Sequence, residues 1–275
     1  MKARTKLDAA TEMKMTAIVE AMASKDGLVI AFSGGVDSTV VSMLAQRALG
    51  KKAVAVTADS EVVPRSELKE AKALARLIGI EHIIVRQREL EDEKVVGNSK
   101  DRCYHCRKGL AGLLKAVARK KGIRTIADGV NCSDLGEHRP GIRAADEAGI
   151  WHPFIELKVT KPEVRAMARS LGLPVHNKPA AACLASRIPY GQRITREKLR
   201  QIEKAEEILK GMGLYHVRVR HHGNIARIEV PSELFERFKD QKLRVKINDK
   251  LKALGFQYIT IDLLGYRAGS MDEAM

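Results

Sequence analysis

The chain reads as α/β: a doubly wound parallel sheet followed by a smaller C-terminal α+β domain. Three observations predict this. Short, uniformly apolar runs bounded by glycine recur between helical segments over the first 190 residues, as in a parallel sheet covered on both faces. Beyond about Tyr190 the strand-like segments alternate apolar and charged residues, which marks a two-faced antiparallel hairpin. The length of 275 residues, 45% hydrophobic and 30% charged, exceeds one average domain and falls short of three. The expected division is 1–190 and 191–275.

In chain order, residues 7–23 place Leu7, Met15, Ile18 and Met22 near a helical period. Leu28 to Phe32 is a buried strand, 38–49 a helix closed by Gly50, and Ala53 to Thr57 a second strand. A charged helix follows over 65–78 with Gly79 at its end, then a strand at Ile83 to Val85. The alternation continues with a helix after Cys106, a strand at Thr125 to Ala127, a segment near Pro153 to Leu157 and a helix over 162–171. The second domain offers a helix over 195–210, strands at 216–220 and 225–230, helices near 233–238 and 243–254, and a last strand at 258–263.

Charge narrows the ligand. Lys and Arg number 49 against 34 Asp and Glu, a formal charge of +15, which suits phosphate-bearing ligands. Five Tyr, five Phe and one Trp are too few for a platform that stacks single-stranded bases. No run approaches the ~18 apolar residues of a membrane span. Asp8, Glu12 and Glu20 interrupt any secretion signal, so a cytoplasmic protein with no membrane partner is expected.

Ser33-Gly34-Gly35-Val36-Asp37-Ser38 follows the first strand and opens the next helix. Glycines let main chain approach phosphate oxygens without a Cβ in the way, and a helix start offers N–H groups and a positive dipole end. Ser33 and Ser38 can add hydroxyl donors, and Asp37 can help to hold Mg²⁺ beside the phosphates. The Gly-Lys-Ser/Thr ending of a Walker loop is absent.

Four cysteines occupy 103, 106, 132 and 183. Without a secretion signal, metal, redox or thiol chemistry explains them better than a disulfide framework. Cys132 reads as a small buried hydrophobe. Cys103, Cys106 and Cys183 are one thiolate short of a closed zinc site, which His105 or Cys132 could complete, so zinc stays open. A thioredoxin-like pair leaves Cys183 without a role. Arg218 and Arg220, two apart on one strand face, offer donor forks to a phosphate or carboxylate, or form a solvated face. Asp134 and Arg139 fit either ligand contact or a loop-bracing ion pair. His221 and His222 read as polar residues of the hairpin end.

The hexapeptide resembles the signature of the PP-loop ATP pyrophosphatases. The ordered set Cys103-Tyr-His-Cys106, Gly129-Val-Asn131-Cys-Ser-Asp134, Arg139-Pro-Gly141, Lys178-Pro179, Ala182-Cys183-Leu-Ala-Ser186-Arg187 and Arg218-Val-Arg220 is similar to the LarE family of ATP-dependent sulfur transferases. The likeness runs from about residue 10 to 270. It implies adenylylation of a carboxylate of pyridinium-3,5-biscarboxylic acid mononucleotide, followed by conversion to a thiocarboxylate for the nickel-pincer nucleotide. ATP would be held by Ser33, Gly34, Gly35, Asp37, Ser38 and Gly129, with main chain near Thr57 beside the base. Glu206, Arg218 and Arg220 would stand by Cys183 as the catalytic group. Some members sacrifice the sulfur of the cysteine matching Cys183. Others hold a [4Fe–4S] cluster on three cysteines, and this chain, with Cys103, Cys106 and Cys183, resembles the cluster type, with sulfide or another external sulfur donor. A homo-oligomer is expected, and nucleic acid is not an expected partner. Two rival readings are a tRNA thiolase of the same superfamily and a non-catalytic nucleotide or iron–sulfur carrier.

Overall fold

The computed structural model describes residues 7–135, 140–179, 181–267 and 270–271. Arg139 lies outside them. The chain divides into two compact units, Met1–Glu89 with Cys103–Ala181, and Leu90–Arg102 with Ala182–Met275. Segment 90–102 joins the second unit through its polar groups. Asn98 Nδ2 donates to the carbonyls of Pro189 at 2.8 Å and Gln192 at 3.1 Å, and the Ile194 N–H donates to the Val96 carbonyl at 2.9 Å.

The first unit carries four parallel strands, β1 (Leu28–Ala31), β2 (Ala53–Ser60), β3 (Glu81–Gln87) and β4 (Thr125–Ala127), in the order β3-β2-β1-β4. Side chains alternate across the sheet. Leu28, Ile30, Ala53 and Ala55 face a core shared with helices α1 (Ala9–Ala23), α2 (Val36–Leu49), α3 (Arg65–Ile78) and, later in the chain, one over Lys161–Ser170. Val29, Ala31, Val54 and Val56 face the opposite core. The short α4 (Glu93–Val96) belongs to the second unit, and it is α5 (Arg102–Lys121) that covers this face with Ala111, Leu114 and Ala118. Both faces are covered, as the uniformly apolar runs require.

β2 and β3 run longer than the sequence pattern suggests. β3 is an edge strand whose exposed Glu81 and Arg86 are tolerated there, and this hides it from an apolar-run reading. α5 begins before Cys103, so both cysteines of the pair lie within its opening turns. The chain continues through α6 (Pro140–Glu147), α7 (Pro153–Glu156) and α8 (Lys161–Ser170).

In the second unit, α9 (Arg196–Gly211) and α10 (Gln241–Lys252) share a core with the sheet β5 (Arg218–His222), β6 (Ile225–Glu229) and β7 (Tyr258–Ile261). β5 and β6 form the expected antiparallel hairpin, but only Gly223 and Asn224 lie between them, because His222 pairs with Ile225. β7 is parallel to β6. Ser232–Lys239 is 3-10 rather than α-helical. No helix among the described residues is long and apolar enough to cross a membrane.

Candidate nucleotide and sulfur-transfer sites

β1 is the strand at which the winding reverses: β2 lies on one side of it and β4 on the other. Ligands of doubly wound sheets bind at such a reversal, beyond the carboxyl ends of the strands. The loop Ser33–Ser38 leaves β1 at that point. Gly34 has φ of 73°, and a Cβ there would stand 3.0 Å from the Ala71 Cα, so both conformation and space require glycine. Ser33 Oγ accepts the Gly35 N–H at 3.2 Å, and Ser38 Oγ accepts the Ser33 N–H at 3.2 Å. Gly35 caps α2 without a side chain, so the opening amides of α2 have no side-chain cap.

The loop after β4 closes on the same place. A Cβ on Gly129 would fall 2.7 Å from the Ser38 nitrogen and 2.8 Å from the Asp37 carbonyl carbon. The structure therefore brings Ser33, Gly34, Gly35, Asp37, Ser38 and Gly129 together. Thr57, next in the sheet, is buried and donates its hydroxyl to the Phe32 carbonyl at 2.6 Å.

Asp37 is ion-paired to Lys161 and accepts from Asn131 Nδ2 at 3.3 Å. Asn131 also donates to Asp134 at 2.7 Å. Lys161 escapes a motif search because it comes from the first turn of α8, well over a hundred residues after the loop; a basic residue before proline at a helix start is its one local signal. Among the described residues no three His, Cys, Asp or Glu side chains gather as a metal site. Mg²⁺ bound with nucleotide phosphates needs only one or two protein carboxylates, and Asp37 fits that donor set.

Cys103 is exposed and Cys106 half-buried, one helical turn apart on α5. Two thiols at that spacing suit a metal or cluster edge. Gln87 Nε2 donates to the Cys106 carbonyl at 2.9 Å and lies 3.7 Å from its sulfur. Glu89 Oε1 accepts the Ser60 hydroxyl at 2.5 Å and lies 3.9 Å from Cys106 Sγ. Burial pushes the Glu89 carboxyl above its usual range, against the opposing bond from Ser60. None of the four cysteines forms a disulfide.

The second unit holds Cys183, Glu206, Arg218 and Arg220. Cys183 precedes a 3-10 turn, Leu184–Arg187, and Arg187 binds that turn together: its Nη1 donates to the carbonyls of Ala182 and Cys183, both at 2.9 Å. Buried Glu206 takes Arg187 in a two-pronged pair at 2.9 and 3.2 Å and accepts the Val219 N–H at 3.1 Å. Its carboxylate is thus spent on fixing the Cys183 turn to β5. Arg220, 6% exposed, is no solvated residue: it donates to the Ser186 carbonyl at 3.1 Å, to Glu229 at 2.6 Å and to Ser270 at 2.9 Å. Arg218 differs. It donates to the Val217 carbonyl at 3.0 Å and lies 5.3 Å from the Tyr266 ring centre, and no carboxylate among the described residues pairs with it. Burial, then the charges of Arg187 and Arg220, hold its guanidinium below its ordinary pKa. His221, buried, bonds Gln201 at 2.9 Å.

Residues 9–121 match the NAD synthase family. An uncharacterized protein of Synechocystis sp. is 40% identical over 264 residues, covering 96% of this chain and 98% of that one. The pyridinium-3,5-bisthiocarboxylic acid mononucleotide synthase of Lactiplantibacillus plantarum is 36% identical over 266 residues, 95% of each chain. A glutamine-hydrolyzing GMP synthase of Pyrobaculum aerophilum is 30% identical over 233 residues, 74% of this chain and 45% of that enzyme.

Proposed function

Because the chain belongs to the family of the pyridinium-3,5-bisthiocarboxylic acid mononucleotide synthases, we propose that it activates a carboxylate of pyridinium-3,5-biscarboxylic acid mononucleotide with ATP and converts it to a thiocarboxylate. It is an ATP-dependent sulfur-transferring enzyme. The observation that carries the reading is the glycine loop at the reversal of the sheet, with Gly129 laid against Asp37 and Ser38. The carboxylate oxygen attacks the α-phosphorus, the bond to the β-phosphate oxygen breaks, and pyrophosphate leaves. The α2 amides and the Ser33 and Ser38 hydroxyls bind the phosphates, and Asp37 would hold Mg²⁺ beside them, where the ion would neutralise charge on the leaving group.

Arg218, which no carboxylate among the described residues pairs with, holds an anionic group of the mononucleotide. Glu206 and Arg220 act behind it, through Arg187 and Ser186, on the turn that carries Cys183. Cys103, Cys106 and Cys183 are the thiolates for a [4Fe–4S] cluster, supported by the one-turn spacing of the first two and the resemblance of all three. When bound, that group would supply sulfur from an external donor such as sulfide without consuming a cysteine; the new C–S bond replaces the acyl C–O bond, and AMP leaves. The reaction takes place in the cytoplasm.

Intact mass after turnover tests the assignment. Anaerobically reconstituted protein, given ATP, the mononucleotide and sulfide, is expected to release pyrophosphate only with the mononucleotide, form several products per chain and keep its mass. A chain lighter by roughly 34 Da at Cys183, with one product per chain, shows a sacrificed cysteine and overturns the cluster.

A further inference from the structure

A group of charged side chains at the end of β4 takes no part in the chemistry above. Asp128 is 2% exposed. One of its oxygens is ion-paired to Arg107; the other meets His152 Nδ1 at 2.6 Å and accepts the Val130 N–H at 3.0 Å. His152 Nε2 in turn lies 3.0 Å from Asp146 of α6. A carboxylate this buried is tolerated only when its oxygens are satisfied, and here both are.

What surrounds Asp128 gives it a use. The next residue, Gly129, has its main chain pressed against the opening turn of α2, to which the function proposed above assigns the phosphates. Arg107 directly follows Cys106 on α5. Tyr104, between the two cysteines, donates its hydroxyl to Glu147 of α6 at 2.5 Å, and Arg143 of α6 lies 4.6 Å from the same ring centre. The apolar anchors of α5, Ala111, Leu114 and Ala118, all lie beyond Cys106 along the helix. The turn that carries the cysteines therefore leans on polar ties. Gln87 ties it to β3, Tyr104 to α6, and Arg107 to the residue beside the phosphate loop.

We propose that Asp128 is a positioning residue for sulfur transfer, holding the Cys103–Cys106 turn of α5 in fixed relation to the phosphate loop through Arg107 on one side and Gly129 on the other. This rests on the function proposed above and adds a residue to it. Asp128 bonds Arg107, His152 and the Val130 N–H, and it acts through these neighbours. Losing the Arg107 pair removes the one of these ties that leads to Gly129 and loosens the cysteine turn, so that activation and sulfur transfer fall out of step.

The test compares the full chain with its Asp128→Asn variant, which keeps the size of the side chain and removes the charge. Pyrophosphate released and thiocarboxylate formed are measured together with ATP, the mononucleotide and sulfide. The rates at which iodoacetamide labels Cys103 and Cys106 in the protein alone are read by peptide mass. The expected result is a fall of about tenfold in thiocarboxylate formed per pyrophosphate released, with Cys106 labelled about threefold faster. Arg107→Gln should reproduce both changes, the double variant should add little to either single one, and Arg107→Lys should recover part of the loss. The proposal is overturned if the ratio and the labelling are unchanged in Asp128→Asn. It is equally overturned if both half-reactions fall together with the melting temperature, as in a generally loosened fold. A wild-type chain that releases no pyrophosphate with the mononucleotide overturns the proposed function instead, and the labelling rates then decide the tie by themselves.

Discussion

The phosphate loop and the Cys183 turn are built by opposite means. In the first unit, six consecutive residues make a cradle almost wholly from main chain: Gly34 with positive φ, the Ser33 and Ser38 hydroxyls turned inward, and the uncapped start of α2. In the second, side chains from separate elements converge. Arg187 comes from the 3-10 turn itself, Glu206 from α9, Arg220 from β5 and Glu229 from β6, and together they fix the short turn that follows Cys183. A main-chain cradle is sensitive to bulk and indifferent to distant charges. A cradle of buried ion pairs is the reverse, because removing one partner strands the other in a poorly solvated place.

The largest expected effect tests that contrast within the second unit. Arg220→Ala removes one partner of Glu229, which is 0% exposed. Arg227 at 3.3 Å and Ser270 at 2.8 Å remain on the carboxylate, so the loss should lie near the low end for a broken buried pair, about 3 kcal/mol in urea unfolding. Arg218→Ala strands no carboxylate among the described residues and should cost less than about 1 kcal/mol of stability, while use of the mononucleotide falls roughly tenfold or more. Equal stability losses in the two variants would erase the distinction between a structural arginine and a ligand-facing one.

The next effect is on the main-chain cradle. In Gly129→Ala the added methyl meets main-chain atoms of Asp37 and Ser38, which cannot rotate away as a side-chain end can. The phosphate loop must shift, and displacement on the scale of an ångström costs about a hundredfold in pyrophosphate release. Moving the same methyl to Gly112 of α5, where a Cβ meets nothing within 4 Å, should leave release near wild type. If Gly129→Ala also releases pyrophosphate at the wild-type rate, the loop is not the phosphate cradle.

How much could be read from the sequence follows the same division. The phosphate loop was legible because its signals are contiguous: an apolar strand, two glycines and a helix start within a dozen residues. β1, β2 and β4 were legible as apolar runs, whereas the polar ends of edge strand β3 were not. The ties of the second unit could not be read locally. Arg220 and Glu206 look like surface charges in an alternating strand and a charged helix; only folding brings Ser186, Glu229 and Arg187 to them. Lys161 and Asp128 were missed for the same reason, since each is defined by a partner far along the chain. The short helices α4, α6 and α7 are held by tertiary contacts, and four to eight residues show little periodicity.

The smallest effect asks whether the main-chain cradle stands without charge. His152 braces Asp128, the residue beside Gly129. Burial alone would lower the pKa of its imidazole, but the bonds and charges of Asp128 and Asp146 outweigh burial and raise it above the ordinary value. A group with a higher pKa folded than unfolded takes up a proton on folding. Its contribution to stability is complete below the unfolded value of about 6.5, and it is lost as pH rises through the raised folded value. Asp128 has the opposite linkage. Although burial opposes it, His152 and Arg107 keep its pKa low, so its contribution is lost only in acid. The difference in unfolding free energy between wild type and His152→Gln should therefore be larger at about pH 6 than at about pH 9. A difference that is flat across that range, or grows with pH, would mean that His152 serves as a neutral hydrogen-bonding strut and that no protonated imidazole supports the loop.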